Sequence, residues 1–222
     1  LSDFFRKIGC ESSTNAYCIT GSTPLADSLF SVGYGLYDDQ QASDPLRELM
    51  DHRGNTWLYK NKYTLPVAFM LPQDVEENWI LDSGNPASVQ NDLCDVLGTD
   101  PVLLMNEAVT DGKRLTFTAE DTGEYYVYVT NKQVKEVTAV IGETTENFDN
   151  VDRGYFLELG HILKDTEVKL EAEDDADPVL QAEVWRFSPQ GMESLFQRMN
   201  KNPIHLTRWT DTELVGNITA DR

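Results

Sequence analysis

From residue 111 onward the sequence alternates apolar and polar residues with a period of two. It does so in six separate runs: "RLTFTA", "GEYYVYVT", "KEVTAVIG", "RGYFLELG", "TEVKLEAE" and "VLQAEVWRF". Such alternation puts every second side chain on one face of a strand. Clusters of Gly, Asn and Asp divide the runs at intervals of about ten residues, the spacing of an antiparallel sandwich or jelly roll. The stretch 108–188 is therefore expected to be β.

Residues 1–107 follow different rules. "SDFFRKIG" reads as a short helix with Ser2 as N-cap and Gly9 as its stop. "TPLADSLFSVG" places Thr23 as N-cap and Pro24 at the first helical position, with Leu25, Leu29 and Val32 on one face. "TWLYKNKYTLPVAFMLP" predicts a hairpin turning at Lys60–Lys62. "NPASVQNDLCDVLG" predicts a helix capped by Asn85, opened by Pro86 and closed by Gly98. After the β runs, "SPQGMESLFQRMN" reads as a helix, and "IHLTRW" and "ELVGNITA" as strands, the last without an evident partner. The expected fold is α+β: a mixed α/β region (1–107) packed on an antiparallel, jelly-roll-like β-sandwich (108–188). A C-terminal helix and strands (189–222) would lead into a missing downstream segment.

Charge narrows the function. The chain carries 18 Lys and Arg against 38 Asp and Glu, a formal net charge of -20. The halves 1–110 and 111–222 net -10 each, so there is neither an acidic tail nor a basic stretch. A surface this negative repels phosphate backbones, and no nucleic-acid partner is expected. No apolar run approaches the roughly 18–20 residues of a membrane span, and the longest, "TLPVAFMLP", is broken by prolines. The chain opens on "LSDFFRKIG" without an initiator Met or a signal peptide, and is expected to be a piece of something longer. Cys10, Cys18 and Cys94 fit neither a disulfide framework nor zinc-ligand spacing, although Cys10 and Cys18 could pair under oxidising conditions.

Several stretches resemble chemistry. "GSTPLADSLFSVGYG" has the glycines of a phosphate cradle but lacks the lysine and the spacing of a P-loop, so it reads as a capped helix start. "ILDSG" (Asp82) and "EDTGE" (Asp121) echo the paired loops of aspartic proteases, an alternative weakened by their 39-residue separation. Asp175 and Asp177 in "EAEDDADP" are a candidate weak calcium site without the glycine and bidentate Glu of a calcium loop. Trp57, Tyr59 and Trp79 offer aromatic faces that can stack on sugar rings, and Asn85, Gln90 and Asn91 offer amides for hydroxyls. These six are the candidate carbohydrate-binding residues. No catalytic set and no cofactor motif is readable.

Taken in order, these segments resemble the YfhO family of bacterial polytopic membrane proteins. "GSTPLADSLFSVGYGL" is similar to a Gly-Gly-Thr-Pro-like start followed by a short helix and strand, departing at Ser22 and Gly35. "FFRKIGCESSTNAY" resembles the segment just upstream, and "WLYKNKYTLPVAFML" a family hairpin. "NPASVQNDLCDVLG" has Asn85, Pro86, Gln90 and Asn91 in matching places. "RGYFLELGHILKDTEVKLEAE" resembles a strand pair, with Lys164 where a glycine is usual, and "DTELVGNITA" the opening of the next extracytoplasmic segment. The resemblance implies a parent with many membrane helices and a large domain outside the cell. Members are implicated in moving sugars from a lipid carrier onto lipoteichoic acid or other surface polymers, with any catalytic carboxylates in the membrane part. This chain would then be a non-catalytic extracytoplasmic domain that orients a surface glycan, a glycolipid or a partner. Its own membrane-embedded remainder would be one partner, and its location the outer side of the cell membrane. A free-standing carbohydrate-binding module is the alternative.

Overall fold

The structure, a computed structural model, describes residues 1–38, 40–41, 45–82, 84–173 and 179–219. Helices α1 (Ser2–Lys7) and α2 (Pro24–Leu29) precede strands β1 (Tyr34–Tyr37), β2 (Arg47–Arg53) and β3 (Thr56–Asn61). Helices α3 (Asp74–Asn78) and α4 (Pro86–Leu97) follow. Nine strands come next: β4 (Leu103–Asn106), β5 (Ala108–Asp111), β6 (Arg114–Thr118), β7 (Gly123–Val129), β8 (Val137–Ile141), β9 (Thr144–Phe148), β10 (Phe156–Ile162), β11 (Glu167–Ala172) and β12 (Ala182–Phe187). Helix α5 (Pro189–Met199) and strands β13 (His205–Trp209) and β14 (Leu214–Asn217) close the chain. The chain divides into two compact units interleaved in sequence. One holds Leu1–Thr23, Ile80–Asn91 and Leu103–Ser188; the other holds Pro24–Trp79, Asp92–Val102 and Pro189–Arg222. Region 108–188 lies wholly in the first unit, whereas 1–107 is shared between the two.

The first unit is an antiparallel β-sandwich with one face covered. A four-stranded sheet, β10-β7-β12-β4, faces a five-stranded sheet, β5-β6-β11-β8-β9. All six alternating runs of the sequence are strands here, and β4, β5 and β9 are added at the edges. The core between the sheets takes Leu115 and Phe117 from β6, Tyr125 and Val127 from β7, Leu157 from β10 and Leu170 from β11. Burial of this apolar surface, at about 25 cal/mol per Å², is the main stabilising term.

The other face of the four-stranded sheet is buried too. Tyr126 and Tyr128 of β7 pack edge-on to Phe156 of β10, with ring centroids 5.7 Å and 6.1 Å away. Over Phe156 runs the backbone of the N-terminal segment: the Phe156 N–H donates to the Gly9 carbonyl at 2.8 Å. Gly21 has φ +76, and a Cβ there would lie 2.6 Å from the Phe156 carbonyl oxygen and 2.7 Å from that of Gly9. Only glycine lets the chain cross the sheet this closely. A strand with both faces covered needs no alternation, hence the unbroken "YYVYV" of β7.

The second unit holds a smaller sheet, β1-β3-β2, and a separate hairpin of β13 with β14. The hairpin expected over 56–72 is not formed. Instead β3 pairs with β2, upstream of it, through a tight turn at Gly54–Asn55. The reason is turn chemistry: Gly54 adopts φ +60 beside Asn55, an Asn/Gly pair suited to a two-residue hairpin turn, whereas Lys60–Lys62 contains no glycine. Downstream, Pro66 lacks the N–H a ladder needs, and Phe69 makes only an isolated bridge to Pro203. The final strand does have a partner, since β13 and β14 pair antiparallel from His205↔Asn217 to Trp209↔Leu214.

Candidate functional site

The residues of the "GSTP" and "NPASVQN" segments form one hydrogen-bonded frame in the first unit. Asn85 caps α4, its Oδ1 accepting from the Ala87 N–H at 2.7 Å. Its amide nitrogen donates to Glu183 of β12. Gln90 is buried; its Oε1 accepts from the Thr23 hydroxyl at 2.7 Å and its Nε2 donates to the Ile8 carbonyl at 2.7 Å. Asn91 donates to the Leu103 carbonyl at 2.8 Å and accepts from the Leu103 N–H at 3.0 Å, which fixes the start of β4. Thr23, expected as a helix cap, also ties the loop to α4 through its hydroxyl. Glycine and threonine in "GST" thus serve close packing and cross-linking, which answers the phosphate-cradle likeness of that stretch.

This frame presents a cavity of about 140 Å³ lined by four cationic side chains: Arg6 and Lys7 of α1, Lys132 after β7, and Arg153. Asp82, Asn85 and Pro86, at the start of α4, and Tyr128 complete the wall described here. Asp82 is the one lining carboxylate named by the structure, so the lining side chains sum to a charge of +3 in a chain of -20. Arg6 pairs with Asp3 at 2.5 Å, and Lys7 with Asp3 at 3.0 Å and Asp82 at 2.8 Å. Arg153 pairs with Glu11 at 2.5 Å. Among the described residues Lys132 has no carboxylate within ion-pair distance; its ammonium lies over the Tyr128 ring, 5.9 Å from the centroid.

The local field is legible in the titrating groups. Hydrogen bonds from Lys7 and then Arg6 hold Asp3 below the usual carboxylate range. Asp82, then Asp3, raise Lys7. Lys132 moves the other way: desolvation, then the like charge of Arg6, lower it. Gly154, at φ +75, lets Lys132 approach, since a Cβ there would run into the ammonium. Chemically the cavity offers convergent N–H donors and excess positive charge, which suit a small anion.

Of the candidate residues read from sequence, Asn85, Gln90 and Asn91 belong to this frame. Trp57, Tyr59 and Trp79 belong to the second unit, and Asn85, Gln90 and Asn91 to the first. Trp57 is half-buried and stacks on His52 at 3.9 Å between centroids. Tyr59 is buried, donates its hydroxyl to the Gln41 carbonyl at 3.1 Å and packs edge-on to Tyr37. Trp79 is half-buried and ends α3, its N–H donating to the Val75 carbonyl at 3.0 Å. Asp82 and Asp121 face separate cations: Asp82 pairs with Lys7, and Asp121 with Lys164 at 3.5 Å and Arg186 at 3.3 Å. Asp175 and Asp177 lie outside the described residues, and among those described no group of three His, Cys, Asp or Glu is placed to hold a metal. Cys10 and Cys94 are buried, Cys18 is exposed, and all three are free thiols.

Sequence reading missed Arg6, Lys7, Lys132 and Arg153 because they come from three distant segments. The usable signal was the "RK" pair of "FFRKIG", beside the family-like segment in an otherwise acidic half.

Comparison with known proteins gives one family. The model of "Bacterial membrane protein YfhO" matches residues 1–111, half of the chain. No curated protein matches. Among solved structures, the C-terminal domain of A223, a structural protein from sulfolobus turreted icosahedral virus, is 17% identical over 39% of this chain and 99% of that chain. Its TM-score of 0.25 is too low to bear on fold or function.

Proposed function

This chain belongs to the YfhO family of bacterial membrane proteins, and from that premise we propose that it is the extracytoplasmic domain of a multi-pass protein that glycosylates a cell-surface polymer. No helix among the described residues is long and apolar enough to cross a membrane. In this reading the membrane-embedded remainder of the same polypeptide carries the sugar transfer, and lipoteichoic acid is the class of acceptor. The domain described here holds and orients the acceptor glycan. Trp57 and Trp79, both half-buried, are the rings offered to a sugar.

The observation that carries this reading is the family match over residues 1–111, supported by what its residues do. Gly21, Thr23, Asn85, Gln90 and Asn91 are engaged in building the unit, not in presenting reactive groups. The test compares the sugar content of purified surface polymer from cells lacking the gene with that from cells expressing the full-length protein. Sugar restored by the full-length protein and reduced several-fold by Trp57→Ala with Trp79→Ala, at equal membrane levels, is the expected result. Polymer sugar that does not depend on the gene would sink the reading.

A further inference from the structure

We propose that the cavity framed by Arg6, Lys7, Lys132 and Arg153 binds a single phosphate group. Three properties of the site point to this chemistry.

The first is charge. The chain as a whole repels anions, but at physiological salt a charge acts over only ~8 Å. Within that range the lining of the cavity is cationic, with Arg6, Lys7, Lys132 and Arg153 against Asp82. The distant carboxylates of the sandwich are screened; Asp3 and Glu11 pair with the cations from beside the lining, and Asp152 acts on Lys132, so the lining itself holds four cations against one carboxylate.

The second is an unspent cation. Arg6, Lys7 and Arg153 have carboxylate partners, but Lys132 has none within ion-pair distance among the described residues. Partial desolvation and then Arg6 work against its charge, and Asp152 opposes them only in part, since the net shift is downward. An anion in the cavity would relieve this repulsion. The competing carboxylates are weak rivals: the side chains of Asp3 and Asp82 are 60% and 85% exposed, so water stabilises them when a ligand displaces them.

The third is size and shape. A cavity of about 140 Å³ is well below the roughly 300–1,000 Å³ of a drug-sized ligand site, so it admits one small group and not an oligosaccharide. Its donors come from three separate chain segments: α1, the segment after β7 and the turn before β10. A tetrahedral group with oxygens in several directions can meet such donors at once, and the guanidinium forks of Arg6 and Arg153 suit it. The start of α4, through Asn85 and Pro86, adds the positive end of a helix dipole.

The inference names a ligand group for a site the glycan reading leaves open, and it does not depend on that reading. A free phosphate and a lipid headgroup share this chemistry, and the experiment separates them. The 222-residue chain is titrated with inorganic phosphate and with glycerol phosphate in chloride buffer, by amide-resolved NMR. It is then floated with vesicles of phosphatidylcholine alone or mixed with phosphatidylglycerol. The expected result is saturable binding of either small phosphate, with shifts confined to residues around Lys132 and Gly154. Binding should weaken at least tenfold in Lys132→Gln and in Arg6→Gln. Both side chains are exposed, so the fold should survive; Gly154→Ala, which displaces the Lys132 ammonium, gives a second route to the same loss. Flotation with the anionic vesicles alone, competed by phosphate, assigns a headgroup as the source; no flotation assigns a soluble phosphate. Absence of binding by both small phosphates and anionic vesicles, or binding unchanged in all three variants, overturns the proposal. Surface-polymer glycosylation is read separately, so either conclusion can fail alone.

Discussion

Strands β2 and β7 are both seven residues long, yet they live under opposite rules. β7 ("GEYYVYV") lies between β10 and β12, and six of its residues are buried. β2 ("RELMDHR") has β3 as its single neighbour, and only Arg47 is buried. The first is held by side chains on both faces, the second by its ladder and a glycine turn. The difference teaches where stability and legibility come from. Burial writes itself into the sequence as an apolar pattern, and a solvated strand leaves no such mark.

The comparison breaks most sharply at Phe156, which the N-terminal backbone covers on one side of the sheet and Tyr126 and Tyr128 contact edge-on. Phe156→Ala should destabilise the first unit by about 3–5 kcal/mol in denaturant unfolding. A loss below ~1 kcal/mol would mean that this face is not truly buried. Gln90→Ala comes next. It leaves the Thr23 hydroxyl and the Ile8 carbonyl without this partner in a buried place, for about 1–3 kcal/mol. Gly21→Ala should cost at least about 1 kcal/mol, from its positive φ and its approach to Phe156, whereas Gly54→Ala meets no neighbouring atom and carries only the φ penalty.

Thiol chemistry sharpens the contrast between buried and exposed positions. Burial pushes the Cys94 thiol from 9.0 up to about 11. Its contribution to stability is therefore complete below about pH 9 and lost as pH rises through about 11. At pH 8 a thiol reagent should modify Cys18 rapidly and leave Cys10 and Cys94 intact until the chain unfolds. Rapid modification of all three in the folded chain would contradict the burial described. The smallest effect belongs to Leu49→Ala on β2, exposed on the small sheet and expected to change stability by less than ~0.5 kcal/mol.

The same contrast explains what the sequence disclosed. The six sandwich strands were readable because each carries an apolar face toward the core, and β7 a second one toward the covering segment. Asn85, Pro86 and Gly98 marked α4 because caps carry their own chemistry. β2 was missed because Leu49, Met50 and Asp51 are all exposed and carry no period, so β3 was paired with the wrong neighbour. The cation-lined cavity was invisible for another reason. Its four cations come from residues 6, 7, 132 and 153 and converge only through the covered sheet, a juxtaposition that local patterns do not encode. The amides of Asn85, Gln90 and Asn91 were conspicuous as hydrogen-bonding groups, but their chain-internal partners could be known only from the fold.

The proposed placement of this domain on the outer side of the membrane is tested most directly at Cys18, the exposed thiol of the three. Intact cells expressing the full-length protein would be treated with a membrane-impermeant maleimide, with Cys18→Ser as the background control. The account predicts labelling of Cys18 in intact cells at the level reached after lysis. Labelling of Cys18 that appears only after lysis would contradict it.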